Sequence, residues 1–292
     1  MHVSGRKILY VLGSGVAFFG AAFTVLQIIR LWSLLEITQM DSGFWWLIAG
    51  CSFAYGLANI VLTFGWINLL RHLNEFVAAP VALAIYGMTV PAKYIPGNIF
   101  HLAGRQALGM ARGIDGWRLA KASVYELTLI VAAGLLFSIL ILPQLLTYDR
   151  PGIASVFFLI ATSVTATVIY ALSGRWLLLA FLDQMIFLFC SALIFIVLIA
   201  YLAGDFDWAL IRSQAIGGAF ILAWVVGLIT PGAPAGVGVR ELVLITCLDG
   251  LIADEDVLSA VILSRLVTVL GDVLFFSMAR LLSNNPAAPD AT

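Results

Sequence analysis

Leu177 to Ala203 reads LLLAFLDQMIFLFCSALIFIVLIAYLA, an apolar run interrupted by the single charge of Asp183. As an α-helix it would rise about 40 Å, more than the roughly 30 Å of hydrocarbon in a bilayer. Five further runs are of the same kind: Ile8 to Ile29, Phe44 to Leu70, Ser123 to Leu146, Ile153 to Leu172 and Val257 to Leu282. Apolar residues form 62% of the 292-residue chain and charged residues 11%, against about a quarter charged in soluble domains. A transmembrane strand barrel would alternate strictly over segments of about ten residues, and these runs are unbroken. The expected fold is therefore an all-α polytopic membrane protein. Residues 1–282 are read as one integral membrane domain, and 283–292 as a polar C-terminal tail.

Charge placement orients the runs. Arg6 and Lys7, Arg71, the group Arg105, Arg112, Arg118 and Lys121, then Arg175 and Arg280 alternate with loops that are acidic or balanced, such as those with Asp205 and Asp207 or Asp254 to Asp256. Basic loops stay on the cytoplasmic side, so both termini are expected there, in a cytoplasmic (inner) membrane. The first run is longer than a signal-peptide core and reads as a retained helix. Tryptophans fall near the expected boundaries, Trp45, Trp46 and Trp208 outside and Trp66, Trp117 and Trp176 inside, as an aromatic belt requires. Cys51, Cys190 and Cys247 have no ligand or pairing spacing, so they read as packing residues. A net charge of −1 offers no footprint for nucleic acid, and no cofactor or metal is expected.

Two apolar stretches are broken. The first, Ala78 to about Arg112, is cut by Pro91, Lys93 and Pro96-Gly97; the second, Ser213 to about Gly250, by Pro231-Gly232, Pro234, Gly236 and Gly238. The charge rule holds along the whole chain if both stretches enter the membrane and return to the side they left, giving six spans and two re-entrant hairpins. The competing reading lets Ser213 to Thr230 cross fully. Each break reads Pro-Gly, seven residues, then Arg, ending at Arg105 and Arg240. Paired Gly/Pro-interrupted segments in halves of opposite orientation point to an inverted repeat with a site between its halves, here about 8–146 and 152–282.

Irregular backbone at membrane depth must be buried in protein or line a wet cavity. Each break should start a new helix, near Asn98 and near Val239, and such starts favour anions. Asn98, His101 and Arg105 are spaced to share a helix face. Arginine can fork onto phosphate, so Asn98, His101, Arg105, Arg240 and Arg265 are the candidates for an anionic, phosphate-bearing headgroup. Plainer readings stand beside this one. Arg105 could snorkel to the interface, His101 could be an ordinary hydrogen-bonded residue, and Asn98 could simply cap its helix. Glu126, Glu241 and Asp272 are candidates for ion pairing or proton coupling: Glu126 with Arg105 or Lys121, Glu241 with Arg240 or Arg265. Arg265 could also pair with Asp272, which shares its face, but at about 10 Å of rise only with help from long side chains or water.

At these residues the chain resembles the transmembrane-region family of lysylphosphatidylglycerol synthases, the flippase-like domain proteins. The likeness covers about residues 10 to 282. It rests on Pro96-Gly97 through Gly104-Arg105, on Tyr125-Glu126, on Pro231-Gly232 through Gly236-Val237-Gly238-Val239-Arg240-Glu241, and on Ser264-Arg265. In place of the Gly-Gly common in that family, this chain has Ala233-Pro234-Ala235. The resemblance implies a bacterial or archaeal membrane protein that moves phospholipids or handles polyprenyl-linked lipids. It does not imply aminoacyl transfer, which a separate soluble domain performs in the synthases. The expected function is lipid translocation, with membrane lipids as partners and a second copy of the chain or a lipid- or glycan-synthesis protein as candidate further partners. The alternatives are an accessory protein scaffolding lipid or surface-glycan synthesis and, further off, an enzyme acting on lipid phosphate.

Overall fold

Apolar runs this long have one way to satisfy their backbone groups without water, which is internal helical hydrogen bonding. The computed structural model describes residues 42–95, 99–145, 151–230 and 238–283, and every regular element among them is helical. The expected first helix, Ile8 to Ile29, lies outside the described residues. So do Pro96, Gly97, Asn98, Pro231, Gly232 and Gly236.

In chain order the helices are α1 (Ser42–His72), α2 (Ala79–Thr89), α3 (Phe100–Ala111), α4 (Gly116–Phe137), α5 (Pro151–Ser173), α6 (Arg175–Ala203), α7 (Phe206–Ile211), α8 (Ser213–Ile229), α9 (Val239–Leu248) and α10 (Asp254–Ser283). A 3₁₀ turn, Val90–Tyr94, extends α2, and another, Ser138–Ile141, carries α4 on to Leu145. Five helical stretches are long and apolar enough to cross a membrane, built on α1, α4, α5, α6 and α10. The chain is a multi-pass membrane protein.

Local chemistry sets the ends. Asp115 caps α4 by accepting from the Arg118 amide at 2.9 Å, and Asp205 caps α7 through the Trp208 amide at 2.8 Å, each satisfying an orphan amide of a first turn. α4 therefore starts seven residues before the apolar run at Ser123, because the interfacial residues Trp117, Arg118 and Lys121 are helical too. Gly174, at φ 80°, turns α5 directly into α6, a conformation that a β-carbon would disfavour.

The long helices define two ends of the bundle. α1 and α6 run antiparallel, with Phe44 against Tyr201 at one end and Arg71 over Trp176 at the other. α1 and α10 cross closely: a β-carbon on Gly271 would lie 2.7 Å from the Ser52 carbonyl oxygen, and one on Gly56 3.3 Å from the Gly271 oxygen. Small residues allow such approach where lipid supplies no hydrophobic drive between helices. The core holds Trp66, Phe181, Phe195 and Phe275, all at most 2% exposed. α5 packs at the margin and presents Val156, Phe157, Ile160 and Val164 outward. Trp66 departs from the expected aromatic belt. It is fully buried, because it packs against Tyr86 and lies under a guanidinium.

Two helical hairpins fill the middle. α2 lies against the last turns of α10, with Gly87 beside Phe275 and Ala279, and descends to Tyr94, which bonds Asp272. α3 returns to the start of α4, where Gly109 meets Leu119 and the Gln106 amide donates to the Gly116 carbonyl at 2.6 Å. α8 starts from the opposite end. Gly218 abuts the backbone at Leu140 and Ile141, and Gly134 of α4 receives Val225. α9 doubles back along α8, so that Leu244, Cys247 and Leu248 share one apolar cluster with Ile216, Ala219 and Val257. At ten residues α9 is about 15 Å long, half a bilayer.

Candidate functional site

Described residues of both helical pairs line one cavity of about 210 Å³. α2 and its 3₁₀ turn bring Tyr86, Lys93 and Tyr94 to it; α3 brings His101 and Arg105; α8 and α9 bring Trp224, Leu228 and Arg240. α1, α4, α6 and α10 complete the wall with Tyr55 and Asn59, Glu126 and Ile130, Phe187 and Ser191, and Ser264 and Arg265. Most of this wall is apolar or aromatic, and, His101 aside, its acidic and basic side chains with their partners form three groups.

Nearest the basic end, Arg105 donates from Nη1 to Glu126 Oε2 at 2.6 Å and is only 3% exposed. Tyr86 donates to the other carboxylate oxygen at 2.9 Å, and the guanidinium carbon sits 4.0 Å from the Tyr86 ring centre and 5.6 Å from that of Trp66. Charge pairing, a second hydrogen bond and two π faces together replace the hydration that burial removes. Arg105 is thus an interior residue on a helix that faces the cavity, and the interfacial alternative is overturned. Its Nε has no hydrogen-bond partner among the described residues.

At middle depth, Lys93 pairs with Asp272 at 2.6 Å. Asp272 is fully buried and also accepts from Asn59 Nδ2 at 3.0 Å and from the Tyr94 hydroxyl. The ammonium lies 5.5 and 5.4 Å from the ring centres of Tyr55 and Tyr94. Toward the acidic end, Arg265 pairs with Glu241 Oε1 at 2.6 Å, while Glu241 Oε2 accepts from the Gly238 amide at 2.8 Å. Glu241 thereby ties the start of α9 to α10. Arg240 has no carboxylate partner among the described residues; its guanidinium lies 5.7 Å from the Trp224 ring centre, and its Nε is unpartnered.

The structure brings four of the five expected headgroup residues, His101, Arg105, Arg240 and Arg265, onto one cavity. The fifth, Asn98, lies outside the described residues, and the cap of α3 is Ile99 rather than Asn98. The shared face of α3 therefore begins at His101. Val239 starts α9 as expected, behind Gly238 at φ 85°. Of the open pairings, Glu126 takes Arg105 and not Lys121, and Glu241 takes Arg265 and not Arg240. Asp272, one of the expected carboxylates, pairs with a residue that sequence reasoning treated only as a break. Lys93 carried a usable signal, since an ionisable residue at membrane depth is a functional candidate by default. Asn59, Tyr55 and Tyr94 gave none, being ordinary residues in apolar runs.

Similarity to known proteins adds nothing to this geometry. No family model matches the chain. No curated protein matches it either.

Proposed function

We propose that the protein is a lipid translocase whose cavity receives the anionic headgroup of a phospholipid or polyprenyl-linked lipid. In this reading the pairs α2–α3 and α8–α9 are re-entrant hairpins entering from opposite faces of a cytoplasmic membrane, related as an inverted repeat, with six spans and both termini cytoplasmic. The protein would then be kin to the transmembrane region of the lysylphosphatidylglycerol synthases.

The reading is supported by one cavity lined by cationic side chains from both sides of the two breaks, Lys93 and Arg105 from the first and Arg240 from the second. Broken helices placed so, at the boundary between two halves, are how transporters expose a site to alternate sides. The surplus of arginine and lysine suits a phosphate, and the apolar remainder of the wall suits acyl or prenyl chains. Rocking the hairpins against the long helices would carry the headgroup across while the tails stay in lipid.

The test is translocation of a headgroup-labelled lipid by the purified chain in vesicles, read as the fraction of label that becomes accessible to a membrane-impermeant quencher. Arg240→Ala is expected to abolish movement while the protein still inserts. An unchanged rate in that variant would remove Arg240 from the site, and no movement by the unaltered chain would overturn the translocase reading in favour of a scaffolding role.

A further inference from the structure

We infer that Asp272 is a proton-loading site coupled to the cavity through Lys93, so that one proton travels with each anionic headgroup. This rests on the translocase reading and names what drives it. The site is built from three elements. Asp272 of α10 is fully buried. Its Oδ1 accepts from Asn59 Nδ2 of α1 at 3.0 Å, and its Oδ2 accepts from the Tyr94 hydroxyl and meets the Lys93 ammonium at 2.6 Å. Lys93, Asn59 and Tyr94 line the cavity, and Asp272 stands behind them. The lysine is thus the contact between an interior carboxylate and an anion that enters the cavity. Among the described residues, the other titratable groups on this side are Tyr55 of α1, His101 of α3 and Arg240 of α9. Arg265, two turns before Asp272 on α10, pairs with Glu241.

An anion that draws the Lys93 ammonium toward the cavity leaves Asp272 without its counter-charge. A buried carboxylate in that position takes up a proton rather than stay ionised in an apolar interior. The proton comes from water on the side to which the cavity is open. When the headgroup leaves on the other side, Lys93 falls back on Asp272 and the carboxyl gives its proton to water there. The empty protein therefore resets with the pair closed, and the loaded protein crosses with Asp272 neutral. Carboxylates at membrane depth serve as such relays in pumps and transporters. A metal cation fits this site poorly, because a hard cation needs acceptor oxygens. Here Asn59 Nδ2, the Tyr94 hydroxyl and Lys93 all turn donors on the carboxylate. The Asn59 amide is held that way round by a second bond, from Nδ2 to the Tyr55 carbonyl at 3.3 Å.

The experiment uses the purified full chain in vesicles, with a fluorescent phosphatidylglycerol as probe and an impermeant quencher to count it in the outer leaflet. A proton carried with a singly charged headgroup makes the passage electroneutral. A gradient of one pH unit is therefore expected to draw the probe about tenfold toward the alkaline leaflet, beyond its distribution in protein-free vesicles. A membrane potential or a sodium gradient is expected to have no effect. The second readout is the infrared difference spectrum of the detergent-purified protein on adding an ether-linked phosphatidylglycerol, which has no carbonyl of its own. A protonated-carboxyl band that moves in heavy water is expected to appear. It should be absent from Asp272→Asn and shifted in Tyr94→Phe, which removes a hydroxyl bonded to Asp272. Tyr94→Phe keeps the test open if Asp272→Asn fails to fold. An even distribution of a probe that the protein does move, accumulation that follows sodium or the potential, no such band, or a band unchanged in a folded variant would overturn the inference and leave translocation standing. No movement of the probe by the unaltered chain would overturn both.

Discussion

The two hairpins carry arginines at matching places, nine residues after the proline of a Pro-Gly pair, yet the two side chains live differently. Arg105 is 3% exposed, bonded to Glu126 and held between Tyr86 and Trp66. Arg240 is partly exposed, lies over the Trp224 ring, and has no carboxylate bonded to it among the described residues, where the neighbouring Glu241 goes to Arg265 and the Gly238 amide. The matched pair is a closed unit that orders the first hairpin against α4. Arg240 is paired with no carboxylate among the described residues and faces the cavity. Repetition in sequence therefore marks the breaks, and in the proposed reading pairing decides which of them holds the ligand.

Breaking that contrast should give effects of distinct kind and size. Arg105→Ala strands Glu126 in the interior and is expected to cost about 3–5 kcal/mol of stability, read as a fall in melting temperature of the detergent-purified protein. Arg240→Ala strands nothing; it should lower headgroup affinity about a hundredfold, an effect of about 2.7 kcal/mol, with melting temperature within a few degrees of the parent. Glu241→Gln gives up the charge on Arg265 and weakens the bond to the Gly238 amide, at about 1 kcal/mol, visible as faster amide exchange at the start of α9. Smallest is the double change Arg105→Met with Glu126→Leu. Removing both partners of a buried pair is often near neutral, so melting temperature should recover most of what Arg105→Ala loses. Failure to recover would mean that Arg105 does more than close the first hairpin.

Much of the fold was legible because hydrocarbon imposes one rule on every span. The runs at Phe44, Ile153, Leu177 and Val257 became α1, α5, α6 and α10 with ends displaced by a few residues. The interruption at Pro91 fell where α2 tightens into its 3₁₀ turn, and the one beyond Thr230 fell where α8 ends. What the sequence hid was pairing across long separations. Asp272 seemed bound to be judged against Arg265, seven residues away on its own helix, whereas its partners Asn59, Lys93 and Tyr94 come from two other helical segments. Trp66 was misjudged for a related reason. A tryptophan near a helix end is interfacial unless another element covers it, and α2 covers this one with Tyr86. Only the three-dimensional meeting of α1, α2 and α3 distinguishes the two cases.

The central claim is that a lipid headgroup sits between the hairpin tips. A lipid bearing a photoreactive group beside its phosphate, activated on the purified chain in vesicles and mapped by peptide mass spectrometry, tests it directly. Labels are expected on His101, Trp224, Leu228 and Leu244, which line the cavity, and to disappear in Arg240→Ala. Labels confined to the outward residues of α5, such as Val156 and Phe157, would contradict the account.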